Sequence, residues 1–191
     1  MTDPKLLASR ATLEEFLAAY DPTMIPFKTY VGGATVLFGA VANPDPQARI
    51  DIANRLLDDG ADPSIVTTDR NDRVNVLHVL WSRAHERDIP REGELVARLI
   101  DGGADINIRS PRFGPPLLEM IDHAVISLEY LYAMWDVVVA HSEPDMSIVL
   151  PLANGKTLAK RYNVKPMADR LHAYLVESGQ LGLLAEEGEG L

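Results

Sequence analysis

The sequence predicts an all-α solenoid of about four helix-turn-helix units behind an N-terminal capping helix, on three observations. The octets Arg55–Asp62 and Arg98–Asp105 align without a gap 43 residues apart and share six of eight residues. Leucines recur at Leu37, Leu77, Leu117 and Leu158, at intervals of 40, 40 and 41. Gly, Pro, Asp and Asn stand between these registers, where helices stop and turns begin.

Each element has its local reason. Thr12–Tyr20 reads as an amphipathic helix capped by Thr12, with Leu13, Phe16 and Leu17 on one face to close the apolar end of the stack. Thr35 and Asn75 are placed to cap the first helices of two units, and Pro115-Pro116 suits the start of a third. The second helices carry apolar pairs at helical spacing: Ile52/Ala53 with Leu56/Leu57, and Leu95/Val96 with Leu99/Ile100. Gly60 and Gly103 end them, because only glycine enters the left-handed region without cost. Lys165–Glu177 is the last helix. The divisions are a capping region over 1–30, units over 31–70, 71–110, 111–152 and 153–178, and a flexible acidic tail over 179–191.

These residues resemble the ankyrin-repeat family. Thr35-Val36-Leu37 and Leu77-His78 stand against its T-P-L-H, and the two Gly-Ala-Asp triplets follow Leu56-Leu57 and Leu99-Ile100 as in its pattern. The likeness spans 30–178 and is strongest in the middle units. It departs in period, about 40 rather than about 33, with the extra residues assigned to Asn43–Gln47 and Glu86–Gly93 between paired helices. The loop Ser64–Asn75 also runs three residues longer than its counterpart, and Ser142-Glu143-Pro144-Asp145 replaces the third triplet. The resemblance implies that His78 hydrogen-bonds neighbouring turns together. It also implies binding of other proteins through inner helices and loop tips.

Catalytic signals fail one by one. Gly155-Lys156-Thr157 lacks the earlier glycine of a phosphate loop, since Leu150 stands there. The five histidines have no metal-ligand spacing, no nucleophile elbow occurs, and zero Cys removes thiolate chemistry and disulfides. No cofactor and no enzymatic activity are expected. Trp81, Tyr130, Tyr132 and Trp135 read as packing between stacked helices.

The formal charge of −10 argues against nucleic acid as partner. Ala124–Ala140 is too short and too charged to span a bilayer, and a cytoplasmic address is expected. Residues 113–155 hold six acids and no Lys or Arg, and 171–191 hold four acids and no Lys or Arg. Two function classes follow. One is a non-catalytic interaction module; the other is an acidic inhibitor or immunity protein that neutralises a basic toxin or enzyme. Either partner is another protein, with a basic surface to match the acids. The expected binding surface joins first-helix positions Val79, Ser82 and Arg83 with Glu119, Asp122 and His123. Loop residues Asp69, Arg70, Arg73, Arg109, Arg112 and Phe113 stand above them, giving an acidic floor beneath arginine-bearing tips.

Overall fold

The computed structural model describes residues 3–69, 72–82, 86–122, 127–149 and 165–183, with the backbone alone at 122 and 165–168. Leu158, the Gly155-Lys156-Thr157 turn, Arg70, Arg83, His85, His123 and the tail from 184 onward lie outside the described residues. Ten helices and no strand occur among those described: α1 Pro4–Ala8, α2 Leu13–Leu17, α3 Val36–Val41, α4 Pro46–Asp58, α5 Val76–Trp81, α6 Ile89–Asp101, α7 Pro116–Asp122, α8 Leu128–His141, α9 Met146–Val149 and α10 Lys165–Glu177. Two isolated bridges, Thr29 with Thr35 and Ser110 with Gly114, close loops.

The N-terminal region holds two short helices where one was expected over 12–20. Asp3 caps α1 through the N–H groups of Lys5 and Leu6, and Pro4 opens it. Thr12 and Glu15 form a reciprocal capping box on α2. Phe16 is buried and Leu13 half-buried, but Leu17 is 39 % exposed and so falls outside the apolar face expected of it. Helix α1 lies so close to α3 that a Cβ on Gly39 would collide with the Lys5 carbonyl oxygen. Buried Asn43 fixes the turn after α1 by donating to the carbonyls of Ala8 (2.9 Å) and Ala11 (3.0 Å).

Helices α1, α3, α5 and α7 pack in one row, and α2, α4, α6 and α8 pack in a second. Leu37, Leu77 and Leu117 are fully buried at corresponding positions of the first row. Asn75 caps α5 as expected. Thr35 occupies the N-cap of α3 but makes no capping bond, and its buried Oγ1 has no hydrogen-bond partner among the described residues. The connections between paired helices are shorter than expected. Asp45 and Asp88 cap α4 and α6, so Pro46, Gln47 and Ile89–Gly93 are already helical.

Gly60 (φ +93°) and Gly103 (φ +105°) end α4 and α6 in the same way. Their N–H groups reach back to Leu57 and Ile100, while Ala61 and Ala104 donate to Leu56 and Leu99. Helix α10 ends alike at Gly179 (φ +73°). A further recurrence sits just beyond: the carboxylates of Asp21, Asp62, Asp105 and Asp145 each accept the N–H two residues on, from Thr23, Ser64, Asn107 and Ser147. These turns fall at intervals of 41, 43 and 40 residues. Asp145 therefore supplies the third unit's turn despite the missing triplet. Gln180, placed in the expected tail, is held instead: its side chain accepts from Met146 N–H (2.8 Å) and donates to the Pro144 carbonyl (3.1 Å).

Between α4 and α6 lies a buried ionic cluster. Arg49 and Glu92 occupy the same register, 43 residues apart, and meet at 2.9 Å with no side-chain exposure. Arg49 also bonds the Asn43 and Glu86 carbonyls, each at 2.7 Å. Arg87 reaches Glu92 at 2.5 Å and the Leu80 carbonyl at 3.2 Å. Tyr130 from α8 donates its hydroxyl to Glu92 and accepts the Trp81 indole N–H (3.2 Å), with the Arg87 guanidinium 4.8 Å above its ring. Burial, then the Glu92 charge, pushes the Tyr130 hydroxyl pKa well up, so it stays a donor. Trp81 and Tyr130 are thus core, as expected; Trp135 is buried against Tyr174, and Tyr132 is half-buried.

Two outcomes follow in equilibrium unfolding by denaturant. Glu92→Ala strands a buried guanidinium and should cost about 3–5 kcal/mol. Gly103→Ala should cost about 1 kcal/mol or more through left-handed strain, with helix content intact by circular dichroism.

Candidate functional site

Three loops rise ahead of α3, α5 and α7 and stand side by side. The first turns tightly, with Tyr30 N–H on the Ala34 carbonyl (2.9 Å) and Gly33 N–H on the Tyr30 carbonyl (2.8 Å). In the third, Ser110 and Gly114 exchange both backbone bonds at 2.9 Å. The second is the longer one and it reaches both neighbours. Thr68 N–H bonds the Gly32 carbonyl (2.8 Å), while on the far side Ser110 donates its hydroxyl to the Asp72 carbonyl and Arg112 lies 3.5 Å from the Asp72 carboxylate. The three residues this loop has over its counterpart supply that reach.

Lower down, a cleft of about 640 Å³ runs along α1, α3 and α5 beneath the first two loops. Phe38, Ala42 and Val79 form an apolar floor, and Lys5 and Arg10 stand at its α1 edge. Val79 thus lines this groove, while Ser82 is exposed at the end of α5. In the described part, this end of the groove has an apolar floor with Asp3, Lys5 and Arg10 at its margin. Glu119 is half-buried on α7, and Asp122 closes that helix.

At the loop tips, Asp69, Arg73, Arg109 and Arg112 are exposed, and Phe113 lies under the Arg112 guanidinium at 4.9 Å. Arg73 has φ +28°, strained for a residue with a Cβ. The guanidinium groups of Arg73 and Arg109 have no carboxylate partner among the described residues. Lys5 and Arg10 escaped sequence reasoning because α1 is too short to show a period. The Asp3-Pro4 start was the available signal.

Other described arginines are spent on the opposite face. Each second helix there sends a side chain to an acid or amide one unit back: Arg91 to Asp51, Arg98 to Asp58 (2.8 Å) and Asn54 (2.9 Å), and the His141 ring to Asp101 (2.9 Å). Arg170 on α10 pairs likewise with Asp136 at 2.9 Å. Such exposed pairs are worth about 0–1 kcal/mol each. Among the six acids of 113–155, Asp136 is engaged by Arg170 and Asp145 by its own turn.

Among the described residues, no group of three His, Asp or Glu side chains is placed to hold a metal ion, and no helix is long and apolar enough to cross a membrane. Neither a family model nor a curated protein matches the sequence. The fold is similar to the crystal structure of a functionally unknown protein from Leptotrichia buccalis C-1013-b. The TM-score is 0.67 at 17 % identity, over 92 % of this chain and 94 % of that one. At that identity the likeness speaks for the fold alone.

His78 ties this region together. Its Nδ1 accepts the Asn75 N–H (3.2 Å) and its Nε2–H donates to the Gly114 carbonyl (3.0 Å), while the Asn75 side chain donates to the Asp105 carbonyl (2.7 Å). Burial lowers its pKa from the ordinary 6.5, with the Gly114 carbonyl opposing. The unfolded chain then binds the proton more readily. Stability contributed by neutral His78 is present above pH 6.5 and falls as pH drops below it toward the lowered value. Denaturant melts between pH 7.5 and 5 should show this loss, and His78→Gln should flatten that part of the profile.

Proposed function

We propose that the chain is a non-catalytic protein-interaction module of ankyrin-like solenoid architecture, cytoplasmic, binding a partner protein in the groove beneath its loop tips. The two helix rows, the recurring glycine and aspartate turns and the inter-loop bonds support the architecture. One observation carries the binding surface. The opposite face has its arginines paired to acids, whereas the loop tips carry Arg73 and Arg109 with no carboxylate partner among the described residues, and an apolar-floored cleft lies beneath the first two loops. Apolar contact flanked by available arginines is the composition of an interface core and its rim. The acidic-inhibitor reading draws less support, because Asp136 and Asp145, two acids of 113–155, are engaged within the chain.

The test is capture from an extract of the native cells with three immobilised chains. The native chain and an Arg98→Glu control should retain the same protein in near-stoichiometric amount, and a Val79→Asp/Arg109→Glu variant of equal melting temperature should lose it. If the groove variant binds normally while Arg98→Glu abolishes binding, the groove is not the site.

A further inference from the structure

We propose that the segment a partner lays in the groove is acidic, seating an apolar side chain on the floor of Phe38, Ala42 and Val79 while its carboxylates meet Lys5, Arg10 and Arg73. This rests on the interaction-module reading and names the chemistry of the partner.

The cleft has apolar surface to offer and a cation beside it. Ala34, Ala42, Val74 and Val79 line it half-buried, and Leu6 on α1 is 45 % exposed. Thr67 and Val74 reach it from the base of the second loop. There Thr67 N–H bonds the Val74 carbonyl (2.9 Å) and Val74 N–H bonds the Thr67 hydroxyl (2.8 Å). Arg73 directly precedes Val74 in the chain, which puts it at the rim. The Ser110 hydroxyl on the Asp72 carbonyl brings the third loop, with Arg109, beside it.

The sign of the partner follows from which charges remain unpaired. The chain as a whole carries −10, which favours a basic partner. Salt screens exposed charges beyond roughly 10 Å, so the groups around the cleft decide. Every arginine of α4, α6 and α10 has a carboxylate at ion-pair distance. Lys5, Arg10, Lys28, Arg73 and Arg109 have none among the described residues. Lys5 and Lys28 both lie over the Tyr30 ring, at 4.8 and 5.3 Å, so Lys28 adds to the charge near α1.

The carboxylates on this side are already engaged. Asp3 accepts the Tyr30 hydroxyl (2.6 Å) and the N–H groups of Lys5 (2.8 Å) and Leu6 (3.4 Å). Asp72 faces Arg112, and Asp69 also has a partner within the chain. An incoming carboxylate therefore meets cations without displacing an internal ion pair. A basic segment would set its charges against Lys5, Arg10 and Arg73, and such like-charge contacts are costly.

Two pools of short peptides, offered to the immobilised full chain, test the proposal. Both vary the apolar residues at the centre; one carries glutamate on the flanks and the other lysine. The native chain should retain the glutamate pool about tenfold or more over its lysine twin. That retention should weaken several-fold as salt rises from about 0.05 to about 0.5 M. Arg10→Glu/Arg73→Glu, at two exposed positions, should invert the preference with melting unchanged. Arg91→Glu/Arg98→Glu alters net charge equally on the opposite face and should leave the preference intact. Retention of neither pool, preference for the lysine pool, or equal losses in the two double variants overturns the proposal. Capture from the extract is read separately. A partner captured there, with no preference for the glutamate pool, leaves the interaction module standing and removes its acidic ligand.

Discussion

Glu92 carries a carboxylate into a site closed to water, and the register of the central helices depends on how that charge is met. Taking an ion out of water costs several kcal/mol, and the cost is offset only when its partners are well placed and hydrogen-bonded. Arg49 from α4, Arg87 from the connection before α6 and Tyr130 from α8 all converge on it. Three successive second-row elements therefore share one anchor. Sliding α4 along α6 by a turn would separate Arg49 from Glu92 and leave the Arg49 guanidinium buried without its carboxylate. An apolar contact would tolerate such a slip far better. The same cluster organises the connection ahead of α6, because Arg49 and Arg87 occupy the carbonyls of Glu86 and Leu80. It also explains Trp81, whose indole N–H needs a buried acceptor and finds the Tyr130 hydroxyl.

Around this anchor the units are joined by two kinds of bond. On the loop side the links are hydrogen bonds to backbone: His78 to Gly114, Asn75 to Asp105, and Asn107 to Glu143 and Asp145. On the second-helix face they are ion pairs that recur from helix to helix. The difference has a functional consequence under the proposed reading. Apart from the Arg112–Asp72 pair, the bonds that hold the loops upright use backbone groups, so Arg73 and Arg109 keep their charge for a partner. The ion-paired face has its charges largely satisfied and offers less to bind.

Features that rest on a few consecutive residues were legible in the sequence. Leu37, Leu77 and Leu117, the glycine stops at Gly60 and Gly103, the Thr12 and Asn75 caps and the helix Lys165–Glu177 all follow from short-range rules of spacing, capping and backbone freedom. Thr35 shows where such a rule fails: it sits at the cap position, but its hydroxyl makes no capping bond. Helix α1 was missed because its five residues give no period; Asp3 and the seat on Gly39 hold it in place.

The sequence by itself thus determined the helical class, the spacing of the units and where most helices begin and end, because those depend on φ preferences and on apolar period. The tertiary structure alone decided which charges are buried. Glu92 falls in the expected connection Glu86–Gly93 and Arg49 belongs to no motif, and only the approach of α4 to α6 removes both from water. It likewise decided that Lys5 and Arg10 border the groove and that Arg91 and Arg98 do not. A side chain's surroundings are set by elements some 40 residues away, and no local pattern encodes which neighbour will arrive.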